Sequence, residues 1–573
     1  MKTLNLHVDY IKFKPLKKAL KNIEELSEKD KKEKEVKEAL VVMIAVEKWD
    51  IDIPAIVREL VKNVKDIASQ VKANNIVLYP YAHLSKDLGS PETAQEILKR
   101  AEEELIKEKF KVTRAPFGYY KEFEFKVKGH PLSELSREIR VDQIKEGGVK
   151  IEEAYDPKQL LREISKSKLD SSKLKDNDHR IIGRQMDLFS FSEVAPGMVF
   201  WHNNGLIIRN ELINFWREEH KKAGYQEVQT PQILDKKLWQ ISGHWEKYKE
   251  NIFLTEYEKR TFAIKPMNCP GGMLIYKNSP KSYKDLPLRV GELGIVHRQE
   301  LSGVLGGLFR VIQFTQDDAH VYCTEEQMKE ELAKIIDLAL FFYSKFGLKL
   351  DHIELSTRPE KRIGDEKMWD LAEKTLEEVL KFKKVKFIIN EGDGAFYGPK
   401  IDFHVKDSLG RTWQCATIQL DFAMPDRFEL EYTDKDNKKK RPVMIHRTIY
   451  GSLERFLGIL LEDVNGRLPV WLAPVQVKVL SFTDRNAEYA KQVVEKMKKD
   501  IPSLRIETDF DQKTIQSKVK DAEMMKVPYI IVIGDKEEKE RVLAVRKGGE
   551  NIVETEDEDE FIFDLKMKIE KRM

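Results

Sequence analysis

Phe309 to Cys323 reads FRVIQFTQDDAHVYC, and no other stretch so narrows what this chain can fold into. Read as a strand, its side chains alternate between two faces, so Arg310, Phe314, Gln316, Asp318 and His320 share one side. That side carries a cation, an aromatic ring, an amide, a carboxylate and an imidazole. A core face is apolar, and a solvated edge strand rarely gathers these five groups. They suit the floor of a polar substrate pocket: Arg for phosphate, Phe for a base, Asp and His for a smaller polar group or a metal.

Composition sets the surrounding limits. A chain of 573 residues with 41% hydrophobic content is globular and long enough for several domains. Its 100 basic and 98 acidic residues leave +2, so net charge argues neither for nor against a nucleic-acid partner. The longest apolar run, Ala39–Val46, is too short to span a bilayer, and the N-terminus lacks a signal-peptide pattern. Cys269, Cys323 and Cys415 form no CxxC pair and no disulfide framework, which fits reduced thiols in the cytoplasm; a metal or catalytic role stays open for one of them.

Four regions are expected. Residues 1–140 alternate β-like runs (TLNLHVDYIKF, ALVVMIAVE, NIVLYPYAHL, GYYKEFEFKVKG) with charged helical stretches, predicting a small α+β domain. Residues 141–193, holding SKSKLDSSKLKDNDHR, read as a partly helical linker. Residues 194–472 form the largest unit. Residues 473–573 repeat a β-α rhythm that predicts an α/β domain with a largely parallel sheet, and ETEDEDE near the end reads as a solvated turn.

Inside the largest unit, PLRVGELGIVHRQE ends in Arg298 and Glu300, and FRVIQFTQDDAH returns from a loop holding Gly303, Gly306 and Gly307. An Arg at such a turn can hold an α-phosphate against a carboxylate nucleophile, and Glu300 can accept the amino group of a base. Further on, IYGSLERFLGILLED predicts an amphipathic helix with Leu453, Phe456, Leu457 and Leu460 as its buried stripe and Arg455 beside it.

These segments together resemble the signature motifs of class II aminoacyl-tRNA synthetases: GYQEVQTP with Pro231 looks like motif 1, HRQE like motif 2 and GSLER like motif 3. KPMNCPGG, FTQDDAH, YGPKIDF, WQCATIQLDF and MIHRTIYGSLERF, in that order, are similar to the threonyl-tRNA synthetases. The resemblance implies an antiparallel-sheet catalytic core, a C-terminal α/β anticodon-binding domain and a homodimer. It also implies ligation of L-threonine to tRNA-Thr through an adenylate.

Residue by residue, Cys269, His320 and His446 fall where that family binds one Zn2+ per subunit. From spacing alone they would pass for unrelated residues. Three such ligands leave a coordination position open, as in catalytic zinc sites. An ion that takes both the amine and the hydroxyl of threonine excludes isosteric valine, which an apolar pocket rejects only about a hundredfold. Asp318 would accept the hydroxyl proton, with Gln316, Tyr397, Thr417 and Gln419 completing the threonine pocket. For ATP and its Mg2+, the resemblance implies Arg298 on the α-phosphate, Glu300 on the base, Arg310 and Arg455 toward the γ-phosphate and Phe314 under the adenine. Lys400 would add charge over the adenylate, and His244 would assist the terminal ribose of tRNA. Gln414 also matches a nucleotide contact, although simple alternation puts it on the opposite strand face from Thr417 and Gln419.

Serine carries the same amine and hydroxyl, so a second, hydrolytic site is expected. LHVDY, YPYAHLS, APFGYYK and KGHPLSELSR resemble the archaeal editing domain of these enzymes, which is related to D-aminoacyl-tRNA deacylases. His7, His83, Tyr120, Lys121, His130 and Glu134 are its candidate residues, with Lys121 polarising an ester or a water. Two alternatives accompany this expectation: a catalytically silent tRNA- or mRNA-binding regulator on the same scaffold, and a synthetase whose N-terminal domain binds tRNA without editing.

Overall fold

A computed structural model of the chain describes all residues except 21, 22, 24, 29, 140–160, 162–173, 408, 409 and 551. The chain divides into two compact units, Met1–Ala154 and Tyr155–Met573.

Among its described residues, the first unit is a six-stranded sheet with two α-helices. Its strands are β1 (Lys2–Lys18), β2 (Lys34–Ala45), β3 (Asn75–Pro80), β4 (Lys111–Arg114), β5 (Tyr119–Val127) and β6 (Glu134–Glu138), in the order β4-β3-β2-β1-β5 with β6 also on β1. The β2–β3 and β3–β4 pairs are parallel and the others antiparallel. Strand β1 pairs with β2 along one edge and is long enough to serve two partners on the other: Lys2–Leu6 pair with β6 and Val8–Lys18 with β5. Helices α1 (Ile53–Val71) and α2 (Pro91–Lys107) start on side-chain caps, Asp52 accepting from Ala55 N–H and Ser90 from Thr93 N–H, each with a proline in the first turn. Ile56, Leu60, Val64 and Ile67 recur at helical spacing and bury against Leu40, Val42, Ile76 and Leu78.

In the second unit the central element is an eight-stranded, largely antiparallel sheet. Its strands are β7 (Gln226–Glu227), β8 (Leu288–His297), β9 (Gln313–Cys323), β10 (Leu350–Ser356), β11 (Ile388–Asn390), β12 (Lys400–Lys406), β13 (Thr412–Asp421) and β14 (Val443–Thr448). They run in the order β11-β10-β12-β13-β14-β9-β8-β7. One face packs on helices that include α4 (Asn203–Lys222) and α8 (Leu453–Asp463), with Phe215, Ile336, Phe342, Ile418, Phe456 and Leu460 in one continuous core. Between α4 and α8 lie α5 (Cys269–Lys277), α6 (Met328–Lys345) and α7 (Glu366–Phe382). The stripe expected on α8 is too narrow. Gly458, Ile459, Leu461 and Glu462 are buried as well, because the helix is enclosed by the sheet and its neighbours.

Much of the linker expected over 141–193 lies outside the described residues, but its last part is folded. Helix α3 (His179–Gln185) carries Ile182 into the central core together with Met186, Leu188 and Phe189. His179 is fully engaged: Nδ1 lies 2.7 Å from Glu462 Oε1 on α8, and Nε2 accepts Leu308 N–H at 3.0 Å. The central unit thus begins before residue 194. Its buried apolar side chains there fall on one short helix and on the residues just after it, and the surrounding Lys, Asp and Ser mask them at the level of sequence.

The last domain has strands β15 (Val477–Ser481), β16 (Ile506–Asp509), β17 (Tyr529–Ile533), β18 (Val542–Lys547) and β19 (Val553–Asp557), ordered β16-β15-β17-β18-β19. The first three are parallel and the last two antiparallel, so the sheet is mixed. Helices α9 (Ala487–Asp500), α10 (Ile515–Met524) and α11 (Glu558–Glu570) accompany it. The acidic run expected as a turn instead forms β19 and the start of α11. Asp557 caps Asp559 and Glu560 N–H, and the acidic first turn complements the helix dipole. Arg505 ties this domain to the central one through Glu211 (3.0 Å) and the Trp471 carbonyl (2.7 Å).

Candidate active site

The open face of the large sheet floors a cavity of about 510 Å³. Its wall comes from three strands, β9, β13 and β14, from the turn at the exit of β8 and from helix starts that include those of α5 and α8. Strand β9 supplies Phe314, Gln316 and Asp318, as alternation predicts, but the strand begins only at Gln313. Arg310 is therefore not part of it. It lies in the preceding turn, bridged to Gly306, and still lines the cavity.

Strand register assembles the Cys/His cluster. His320 on β9 stands directly opposite His446 on β14, which stands opposite Gln419 on β13. The two imidazoles meet edge to face with centroids 4.9 Å apart. Cys269, the first residue of α5, completes the group, and one ligand atom from each of the three lies within 4.8 Å of the others. All three residues are buried. His446 Nε2 lies 2.8 Å from Asp421 Oδ2, which leaves Nδ1 free, and His320 Nε2 is a buried nitrogen without a hydrogen-bond partner. Burial pushes the Cys269 thiol up, helped by Asp318 and Asp421, and burial beside His446 and Arg447 keeps His320 neutral. A buried orphan nitrogen beside a thiol and a second, carboxylate-oriented imidazole fits a bound cation, which would complete it.

Three arginines gather at the other end of the cavity. Arg298, at the exit of β8, donates to the Pro266 carbonyl (3.1 Å) and lies 5.2 Å over the Phe314 ring. Arg310 donates to Glu300 (3.1 Å). Arg455, in the first turn of α8, donates to the Phe309 carbonyl at 3.0 Å and lies 3.4 Å from that of Gln414. Burial, with Arg310 and Arg298 close by, holds Arg455 below its usual range. Cations crowded in this way are stabilised when an anion with several oxygens joins them.

The remaining candidates are placed as follows. Tyr397 donates to Gln419 Oε1 at 2.9 Å, and both line the cavity with Thr417. Gln414 lines it too, contrary to simple alternation. Asp402 pairs with Thr417 and His404 with Gln414, so Cys415 and Ala416 of β13 together oppose the single Phe403 of β12. This bulge inverts the alternation, and Gln414 Nε2 reaches Thr417 Oγ1 at 3.0 Å. Lys400 stands apart from the lining: its ammonium lies 2.7 Å from Asp402 and 2.9 Å from Asp393. His244 is buried in the wall, with Nδ1 2.8 Å from Ser242 Oγ and Nε2 unpartnered. Burial, with Arg298 and Arg427 nearby, pushes it down to about 3, so it is a neutral imidazole.

Sequence reasoning missed the residues that hold this wall together. Asp317 faces away from the cavity and accepts N–H from Ile449 (2.9 Å), Tyr450 (3.1 Å) and Gly451 (2.9 Å). Glu454 accepts Thr315 N–H at 2.9 Å. Together they bolt the GSLER turn to β9. Gly451 is required in that turn: its φ is +80°, and a Cβ would stand 2.5 Å from the Cys415 carbonyl oxygen. Asn268 reaches Asp318 at 3.3 Å through space left by Gly294, where a Cβ would lie 2.0 Å from the amide oxygen. Asp421 had a signal, since it continues the alternation of Thr417 and Gln419. Asp317 and Glu454 had none, being acidic residues beside better candidates.

In the first unit, a second cavity of about 390 Å³ opens beyond the C-terminal ends of the parallel strands β2 and β3, where open α/β sheets commonly bind ligands. Lys121, Tyr120 and His83 line it. The Lys121 ammonium donates to the carbonyls of Pro116 (2.9 Å) and Tyr119 (3.0 Å) and lies 5.1 Å from the Tyr79 ring centroid. Burial pushes it down to about 8. His7, His130 and Glu134 do not join this lining. His7 Nδ1 meets His130 Nε2 at 2.8 Å, and Glu134 is exposed opposite Leu6. The cause is topological, because β1 changes partner from β5 to β6 at this point and carries these residues with its N-terminal half.

Family models match along most of the chain. Residues 1–139 match the archaea-specific editing domain of threonyl-tRNA synthetase, 253–464 the class II synthetase core (G, H, P, S and T), and 470–565 an anticodon binding domain. The crystal structure of the RNA binding domain of threonyl-tRNA synthetase from Cryptosporidium parvum Iowa II is 40% identical with a TM-score of 0.65, covering 68% of this chain and 97% of that one. The chain belongs to the threonyl-tRNA synthetase family.

Threonine–tRNA ligases from Desulforamulus reducens and Clostridium botulinum are each 54% identical, over 379 and 395 residues, or 66% and 69% of this chain. The chain covers 59% and 62% of the length of these relatives. Membership accounts for the cavity on the class II core. It also explains why an editing-domain match sits on the unit that holds Lys121.

Proposed function

We propose that this chain joins L-threonine to tRNA-Thr through a threonyl-adenylate, and that its N-terminal unit hydrolyses Ser-tRNA-Thr. The observation that carries the reading is the cavity with a Cys269/His320/His446 cluster at one end and Arg298, Arg310 and Arg455 at the other. One end suits an amino acid with two ligating groups and the other a triphosphate with its Mg2+. Zn2+ held by those three ligands would supply a Lewis-acidic anchor that rejects valine.

The chain's own residues do the rest. Asp318, pushed up to about 6 by burial, accepts the substrate hydroxyl, with Gln316, Thr417 and the Tyr397–Gln419 pair shaping the pocket. Arg298 neutralises the α-phosphate, Arg310 and Arg455 draw the outer phosphates, and Phe314 supports the base beside Glu300. In-line attack by the threonine carboxylate then needs positioning more than proton transfer. Neutral His244 offers its unpaired Nε2 to the terminal ribose. Lys400, ion-paired outside the lining, acts through Asp402.

In the first unit, Lys121 polarises the ester or a water beside Tyr120 and His83. No serine or cysteine is among the described lining residues, which supports water as the nucleophile. A homodimer and a cytoplasmic location belong to the same reading, and a particle of one chain's mass in solution would overturn the dimer. No described helix is long and apolar enough to cross a membrane. The silent-regulator alternative expects lost arginines or ligands, and none of the six is missing.

The test is charging of tRNA-Thr with labelled threonine, serine and valine by the intact chain and by Lys121→Ala. Threonine is charged, valine is refused, and serine accumulates only on the variant. Serine on both would remove the editing activity, leaving an N-terminal unit that only binds tRNA, and no charging at all would favour the silent regulator.

The pH profile follows with its sign. Lys121 is cationic below about pH 8 and neutral above it. The part of Ser-tRNA hydrolysis that Lys121→Ala abolishes therefore falls as pH rises through 8, while background hydrolysis by hydroxide rises. A Lys121-dependent rate that climbs through pH 8 would instead make the amine a general base. Because the folded value is below the ordinary 10.5, burying the ammonium costs stability below pH 8, and that cost fades between 8 and 10.5.

A further inference from the structure

We propose that His352, Glu354 and His404 form a second divalent-metal site, suited to a borderline ion such as Zn2+ and separate from the Cys269 cluster. The three side chains converge on the open face of β10 and β12, each partly buried, with one ligand atom of each within 4.8 Å of the others. Register creates the site: His352 stands directly opposite His404, after irregularities at Leu350/His352 and beside the Asp402/His404 bulge. The rings stack with centroids 4.4 Å apart and 8° between planes.

Two of the three ligands are oriented by a neighbour. Asp351 Oδ2 lies 2.9 Å from His352 Nδ1, leaving Nε2 toward Glu354 Oε1 at 3.0 Å, the carboxylate–histidine arrangement common behind metal ligands. Asn390 Nδ2 donates to Glu354 Oε2 at 2.9 Å. His404 Nε2 lies 3.5 Å from that same oxygen yet makes no hydrogen bond, and it is a buried polar atom without a partner. An ion bonded to both Nε2 atoms and a Glu354 oxygen satisfies this orphan and separates two stacked imidazoles. Two imidazoles and one carboxylate select zinc, nickel or copper over magnesium and calcium, which prefer oxygen alone.

The buried group of Asp178, His179 and Glu462 makes an instructive contrast. There the one histidine has partners on both nitrogens and is a structural pin, whereas the proposed site holds the unpartnered Nε2 of His404. The proposed site also adjoins the cavity. Glu354 stands opposite Asp402, whose Oδ1 accepts hydrogen bonds from Gln414 Nε2 and from Thr417 Oγ1 (2.9 Å to Thr417 Oγ1).

Cobalt(II) titration of the metal-stripped full chain tests the assignment, because only the Cys269 cluster can give a thiolate-to-cobalt charge-transfer band. Two equivalents are expected to bind, one with that band and one with weak d–d absorption alone. His352→Asn/His404→Asn and, separately, Glu354→Gln remove the second equivalent at least tenfold in affinity and keep the first, whose retained band also reports an intact core. A single equivalent in the unaltered chain, or a second that survives in the double variant, would overturn the proposal.

Discussion

Arg298→Ala is expected to slow threonine-dependent ATP–pyrophosphate exchange about 10³-fold, the range found when a charge-stabilising donor is removed from a transition state. Arg298 is positioned for that role by the exit of β8, by the Pro266 carbonyl and by the Phe314 ring beneath it. Its loss removes a cation from the crowded end of the cavity, so Arg455 and Arg310 repel less and the ground-state protein is not destabilised. The defect therefore belongs in kcat more than in KM for threonine. Metal content and melting behaviour of the variant should match those of the unaltered chain. A loss below tenfold would show that the α-phosphate is held elsewhere.

Asp317→Ala should be the most destabilising single substitution near the site, although Asp317 touches no substrate. It deprives the buried N–H groups of Ile449 and Tyr450 and the part-buried one of Gly451 of their acceptor, each worth about 1–3 kcal/mol when left unmade. Some of that cost is recovered by relaxation and water entry, leaving about 3–5 kcal/mol and a melting transition lower by about 5–10 °C. Exchange activity should fall with it, because the turn before α8 aims Arg455. Asp317→Asn, which keeps one carboxamide oxygen, should be milder. An unchanged melting transition in Asp317→Ala would mean that β14 and the Gly451 turn are held without it.

The site was legible in proportion to how local its signal is. The β9 alternation gave Phe314, Gln316, Asp318 and His320 because a strand's period of two carries straight into which side chains share a face. It failed at Arg310, which a turn delivers, and at Gln414, where one extra residue in β13 reverses the face. The N-terminal candidates divided for a related reason. Strands β5 and β6, adjacent to each other in sequence, pair with different halves of β1, and of these candidates only Lys121, Tyr120 and His83 end at one cavity.

Sequence by itself determined the class of element in most regions, part of the apolar face that buries, and which chemical groups are available: arginines for phosphate, a thiol and imidazoles scattered along the chain, and a lysine among aromatic residues. These follow from side-chain type and short-range periodicity, which the chain carries before it folds. The tertiary structure alone decided that Cys269, His320 and His446 share one point, that Lys121 loses its water, that Lys400 is occupied by carboxylates and that His352 faces His404. Those outcomes depend on strand register and burial, set by residues tens to hundreds of positions apart.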